Sequence, residues 1–182
     1  VYDASFSLSF ANCAKLKHVN LGTITGNGTI KDGAFYTTFS NCSSLEKVSA
    51  SGQSLDEISI GTVDFSSLVA SVFSFYEYPS FYQTFYNCHK IVNVDFSALN
   101  TPELTDDNKD AFTEMFSNCE KLQHLRINAD GNYFNSTNSD AFKDIIPGNK
   151  TRVLYTNSPN WNQFMKSSEP MGPDEIFDIK YS

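Results

Sequence analysis

Ala111-Phe112-Thr-Glu-Met-Phe116-Ser-Asn118-Cys119-Glu-Lys-Leu122-Gln-His-Leu125-Arg-Ile127 sets the pattern for the whole chain. Its skeleton is Phe-x3-Phe-x-Asn-Cys-x2-Leu-x2-Leu-x-Ile, with a small residue before the first Phe. The same skeleton runs from Ser5-Phe6 through Phe10-Ala-Asn12-Cys13, from Ala34-Phe35 through Phe39-Ser-Asn41-Cys42, and from Ser80-Phe81 through Phe85-Tyr-Asn87-Cys88. Each Cys is followed by an apolar LxxLxL pattern: Leu16-Val19-Leu21, Leu45-Val48-Ala50, Ile91-Val94-Phe96 and Leu122-Leu125-Ile127. Four near-copies at this length mark an internal repeat.

Two weaker copies extend the series. Val63-Asp-Phe-Ser-Ser-Leu68 matches Val94-Asp-Phe-Ser-Ala-Leu99 with one change, so Ile60-x2-Val63-x-Phe65 is a strand unit that has lost its Phe-x3-Phe half, near residues 51–66. A degenerate copy places Phe142 at the first Phe, Ile146 at the second, Gly148 at the Asn and Asn149 at the Cys, with Val153-Leu154-Tyr155 as its strand. About six units thus span residues 1–158. Residues 159–182, with Trp161, Phe164 and the alternating Ile176 to Tyr181, form a cap or begin a following segment.

The i, i+4 spacing of each Phe pair puts both rings on one face of a short helix, and Thr105 to Ser117 begins with a capping residue and acids. Asn tolerates the left-handed backbone that closes a helix, which predicts positive φ at Asn12, Asn41, Asn87, Asn118 and Gly148. The alternative role for the Asn is a side chain that caps a neighbouring backbone group. The alternating end of LxxLxL predicts a strand with one buried face, so Val19, Val48, Val63, Val94 and Leu125 should lie side by side. A unit of this size cannot bury its own apolar residues, whereas stacked units can. The expected fold is an α/β solenoid, with a parallel strand ribbon and short helices on the opposite side. The Cys should point inward as a small hydrophobe.

Composition narrows the function. The chain has 182 residues, 13 Lys and Arg against 21 Asp and Glu, and a net charge of −8. That balance disfavours a nucleic-acid partner. The aromatic content of 14% excludes a disordered chain. No apolar run reaches the roughly 18 residues of a membrane span. The cysteines form no CxxC pair, and no HExxH, GxSxG, phosphate-loop or dinucleotide motif occurs. His18 and His124 lie four strands apart, roughly 19 Å, too far to share a metal. The expectation is a protein with no catalytic residues, no metal and no cofactor. Sequons at Asn27, Asn41, Asn135 and Asn149 are read as coincidental, two of them overlapping the repeat.

The phrases Ala-Phe-Thr-Glu-Met-Phe-Ser-Asn-Cys-Glu-Lys-Leu-Gln-His-Leu and Phe-Tyr-Asn-Cys-His-Lys-Ile-Val-Asn-Val-Asp-Phe-Ser resemble BspA-type leucine-rich repeats of bacterial and parasite surface proteins. The resemblance covers roughly residues 5–155. It implies a right-handed leucine-rich-repeat superhelix and an extracellular or cell-surface adhesion module, monomeric, recognising a protein or other cell-surface macromolecule. The spacing of about 30 residues exceeds the usual 20–29 of that architecture. A structural spacer or stalk and an accessory glycan-binding domain are the alternatives.

Two surfaces are candidates for binding. The outward strand positions give His18 and Asn20, Lys47 and Ser49, Asp64, Asn93 and Asp95, and His124 and Arg126. The aromatic insertion gives Phe73, Phe75, Tyr76 and Tyr78, either as an exposed patch or as cover for the gap left by the truncated unit.

Overall fold

A computed structural model of the chain describes residues 5–24, 28–30, 32–73, 78–99, 110–128, 140–142, 152–157 and 177–181. Nine short strands are formed there: β1 (His18–Asn20), β2 (Gly28–Ile30), β3 (Lys47–Ser49), β4 (Thr62–Asp64), β5 (Ala70–Phe73), β6 (Asn93–Phe96), β7 (His124–Ile127), β8 (Val153–Thr156) and β9 (Asp178–Tyr181). Seven make one parallel ribbon in the order β1-β3-β4-β6-β7-β8-β9, and β2 pairs with β5 in a second, parallel pair. The architecture is a parallel-strand solenoid. Val19, Val48, Val63, Val94 and Leu125 are register partners in one ladder, and Leu154 continues it.

The expected helices are absent among the described residues. Each Phe-x3-Phe segment is instead a run of overlapping β-turns, as in Ser9 N–H to Phe6 O, Ala11 N–H to Leu8 O and Cys13 N–H to Phe10 O. The alternate N–H groups leave the segment. Phe6, Leu8, Phe10 and Asn12 donate to the carbonyls of Ala34, Tyr36, Thr38 and Ser40 on the next layer. Phe35, Thr37, Phe39 and Asn41 donate in turn to Ser80, Tyr82, Thr84 and Tyr86. We call each such segment a turn coil. The backbone achieves this by taking positive φ at every fourth residue: Leu8 and Asn12, Thr37 and Asn41, Gln83 and Asn87, Glu114 and Asn118, between 49° and 63°. The expected positive φ at four Asn positions is therefore present, within a turn coil and not at a helix end.

In-register stacking turns every repeat position into a column. Phe6, Phe35, Phe81 and Phe112 stack at 5.2–5.4 Å between ring centroids. Phe10, Phe39, Phe85 and Phe116 form a parallel column at 5.3–5.8 Å. Stacked aromatic pairs contribute about 0.5–1.5 kcal/mol each beyond burial. The Asn side chains also form a ladder, each Nδ2 donating to the preceding Oδ1: Asn41 to Asn12 (3.0 Å), Asn87 to Asn41 (2.6 Å) and Asn118 to Asn87 (2.8 Å). The Asn side chains in these bonds join one another and not the backbone group that the alternative role called for.

The last copy has a different register from the one its sequence suggests. Phe142 stacks on Phe116 (5.8 Å), and Phe116 N–H donates to Ala141 O. Asp140, with φ 37°, then matches Glu114. Phe142 occupies the second Phe position, and Ile146, Gly148 and Asn149 lie outside the described residues.

The truncated unit supplies β4 without a turn coil. Phe35 stacks directly on Phe81, although β4 separates β3 from β6. Phe65 fills the resulting space, stacked on Phe96 at 4.9 Å and edge-on to Phe35 and Phe85. Ile60, expected inside, is 70% exposed, whereas Ile58 is buried. The chain enters β4 through Gly61, whose φ is 86° and whose added Cβ would lie 2.7 Å from Val92 Cγ2. With no turn coil before it, the approach to β4 differs from that to β3.

Replacing Phe65 with Ala empties a fully buried ring site and should cost about 3–5 kcal/mol in urea denaturation. Asn87→Ala should destabilise more than Asn87→Gly, by about 1–2 kcal/mol, because glycine accepts the left-handed backbone and alanine does not.

Candidate functional site

The outward face of the ribbon consists of register-fixed rows. One row reads His18, Lys47, Thr62, Asn93, His124, Val153 and Asp178; the next reads Asn20, Ser49, Asp64, Asp95, Arg126, Tyr155 and Lys180. The nine ribbon residues expected from the sequence all lie on this face, but they divide into three groups.

The central group is covered. The segment after β3 folds back over it: Lys47 Nζ donates to Leu55 O (2.7 Å), Ser49 Oγ to Gln53 O (2.7 Å), and Ser51 Oγ to Asp64 Oδ2. Ser49 and Asp64 are 0% and 6% exposed. Their expected role on an open face is corrected: the twelve-residue return from β3 to β4 occupies the space outside them. At the β1 end, His18 and Asn20 are exposed. His18 Nε2 lies 3.6 Å from Glu46, whose carboxyl also pairs with Lys90 at 2.7 Å. The bond to Lys90 holds the Glu46 carboxyl below its usual range.

The third group is open. His124 and Arg126 on β7 are exposed, and Asn93 and Asp95 on β6 are half-buried beside them. His124 Nδ1 is 2.8 Å from Asn93 Oδ1, and Asn93 Nδ2 reaches Thr62 Oγ1 at 3.4 Å. The Arg126 guanidinium lies 5.5 Å from the ring centre of Tyr155, and Asp95 Oδ1 accepts the Ser97 N–H at 2.8 Å. Donors, acceptors and both charge signs are held in register, with two outward side chains on each of β6 and β7. Tyr155 was missed from the sequence, although it continues the Asp95–Arg126 row in the last copy.

Of the aromatic insertion, only the Tyr78 side chain lies among the described residues. Tyr78 is 47% exposed and meets Tyr36 edge-on at 5.3 Å, while Tyr36 stacks on Tyr82 at 5.1 Å. Burial and the nearby Glu114 carboxylate push the Tyr82 phenol up. The gap beside β4 is filled by Phe65. Phe75 and Tyr76 lie outside the described residues, as does the side chain of Phe73. The signal for the extra tyrosines was the residue after the first Phe, Tyr in two successive coils.

The cysteines form an interior column. Cys42, Cys88 and Cys119 are buried, and each Sγ donates to a carbonyl of the preceding layer, Phe10, Phe39 and Phe85, at 3.0–3.2 Å. Burial pushes the Cys42 thiol up to about 11 and Cys119 to about 12. Cys13 is exposed. Among the described residues no group of three or more His, Cys, Asp and Glu side chains could hold a metal ion, and no helix is long and apolar enough to cross a membrane.

In native protein, iodoacetamide should modify one thiol per chain, Cys13, and all four only after denaturation. The raised thiols favour the protonated native state, so their contribution is complete below the ordinary thiol value of about 8.5–9 and falls as pH rises toward 11–12. Stability followed by urea denaturation should therefore decline above about pH 9.

Neither a protein-family model, nor a curated protein, nor a solved structure matches this chain.

Proposed function

We propose that the chain is a non-catalytic binding module of the cell surface or extracellular space, recognising a macromolecular partner through the outward face of β6, β7 and β8. The observation behind this reading is the open lattice of Asn93, Asp95, His124 and Arg126, whose positions are fixed by strand register. Such a face offers many weak, directional contacts over an extended area, which suits a large partner. The resemblance of the repeat to BspA-type surface proteins points the same way. Lys47, Ser49 and Asp64 belong to the support of the face, since the return loop engages all three.

The triple variant Asp95→Ala, His124→Ala, Arg126→Ala should lose adhesion to whole cells and to immobilised extracellular-matrix proteins. Its urea midpoint should fall only modestly, because the exposed His124 and Arg126 cost within about 0.5 kcal/mol each and loss of the Asp95 bond to the Ser97 N–H costs about 0.5–1.5 kcal/mol. Undiminished adhesion by the triple variant rejects this face. A parent chain that binds neither cells nor matrix proteins supports the spacer reading instead.

A further inference from the structure

The buried Phe columns run on from coil to coil, but the tyrosine stack beside them is short. Half-buried Tyr36 lies on half-buried Tyr82 at 5.1 Å and 13°. Each follows the first Phe of its coil. Phe112 continues the column of Phe35 and Phe81, so the same position in the fourth coil is Thr113. The stack therefore ends at Tyr82, and the ring face toward the fourth coil meets a residue that carries no ring.

A carboxylate stands beside that face. Glu114 follows Thr113 on the fourth coil, and its Oε2 accepts from Gln83 Nε2, on the residue after Tyr82. Its charge is near enough to push the Tyr82 phenol up. Glu114 is half-buried and pairs with no Lys, Arg or His among the described residues, whereas Glu46 holds Lys90 at 2.7 Å. The Thr113 hydroxyl is closed off from solvent and bonds nothing, so it does not serve Glu114 either. In a chain of net charge −8, this carboxylate is met by a neutral amide alone. The aromatic surface continues away from it. Tyr36 meets Tyr78 edge-on at 5.3 Å, and the Tyr86 phenol lies close enough to act on that of Tyr82. Tyr78 is 47% exposed, yet its N–H donates to Asp32 Oδ1 (2.6 Å) and its carbonyl accepts the Gly33 N–H (2.9 Å). An added Cβ at Gly33 would lie 3.2 Å from Tyr78 Cβ, so glycine gives that side chain its room.

We propose that this corner binds an arginine side chain of a partner polypeptide, its guanidinium lying on the Tyr82 face as the next plane of the stack and donating to Glu114. A guanidinium is flat, stacks on aromatic faces and carries its N–H groups in one plane, so it serves the ring and the carboxylate together. The chain already uses this pairing once, where the Arg126 guanidinium lies 5.5 Å from the Tyr155 ring centre. A neutral ligand such as a sugar would leave the Glu114 charge unanswered. Tyr36, Tyr78 and Tyr86 give the residues that flank the arginine an aromatic surface to lie on, which suits a peptide better than the free amino acid. The site lies on the coils, apart from the ribbon, and does not depend on the function proposed for the ribbon face.

The Gln83 side-chain amide reports occupancy, because it donates to Glu114. The test titrates the full chain with an end-blocked Gly-Arg-Gly-Arg-Gly peptide and follows that amide by proton–nitrogen NMR. Its signals should shift saturably, with a millimolar dissociation constant. Glu114→Gln and Tyr82→Leu should each weaken binding about three- to tenfold, with iodoacetamide still modifying Cys13 alone. Glu114→Gln keeps the size of the side chain and an acceptor for Gln83, so it carries the test if Tyr82→Leu exposes the buried thiols. The same peptide with citrulline for arginine, neutral and of the same shape, should bind no better than the variants do. An amide that does not respond, parent-like affinity in either folded variant, or equal binding of the citrulline peptide overturns the proposal. Equal binding of a lysine peptide overturns guanidinium stacking. A stronger response to a neutral oligosaccharide, maltotetraose, assigns the tyrosines to sugar and overturns the proposal as well.

Discussion

The structure depends on one constraint: each turn coil keeps half of its N–H groups and gives the other half to its neighbour. A β-turn closes on its own residues, and a strand gives its hydrogen bonds away. These segments do both in alternation, which requires a left-handed residue at every fourth position. For a non-glycine residue that conformation costs about 1–2 kcal/mol. An isolated coil carries two such residues and satisfies only its internal bonds. Within the stack, each outgoing N–H avoids the roughly 1–3 kcal/mol penalty of a buried unpaired group. The coil is thus a conformation that neighbours make affordable, and this explains why the unit occurs only in tandem.

The same bonds fix translation between layers, and translation fixes chemistry. A side chain that suits one layer meets its own copy above and below. Phenylalanine stacks flat, asparagine donates to asparagine, and cysteine finds a main-chain carbonyl in place of a disulfide partner. Burial pushes all three thiols of this column up, and each sulfur donates to a carbonyl of the layer before it. Identical residues are tolerated here because none of the column members is charged.

Much of this was legible in the residues themselves. The repeat, the ladder of Val19, Val48, Val63, Val94 and Leu125, the inward cysteines and the positive φ of the four asparagines all follow from apolar spacing and turn chemistry. The helix did not survive because a four-residue period has two solutions. Phe residues at i and i+4 share a face in an α-helix and equally in a coil of β-turns. The distinguishing positions are Leu8, Thr37, Gln83 and Glu114, which take positive φ although nothing in their identity favours it. The neighbouring layer imposes that conformation. Local pattern also misplaced Phe142 by one turn, since only its stacking on Phe116 reveals which of two Phe positions it fills. On the ribbon face, strand alternation gave the direction of Ser49 and Asp64 correctly and could not show the return loop lying over them.

The half-unit at β4 gives the molecule unequal sides. Between β3 and β6 the ribbon advances two strand spacings, about 9.6 Å, while the phenylalanine stack advances one, 5.2 Å from Phe35 to Phe81. Layers with these unequal steps must fan open toward the ribbon, so the solenoid axis bends there with its strands on the outside of the curve. Phe65, directly after β4, is the wedge that fills the side opened toward the ribbon. Outward side chains on the two flanks of β4 therefore diverge, and a rigid flat partner can lie along one flank or the other but not across both.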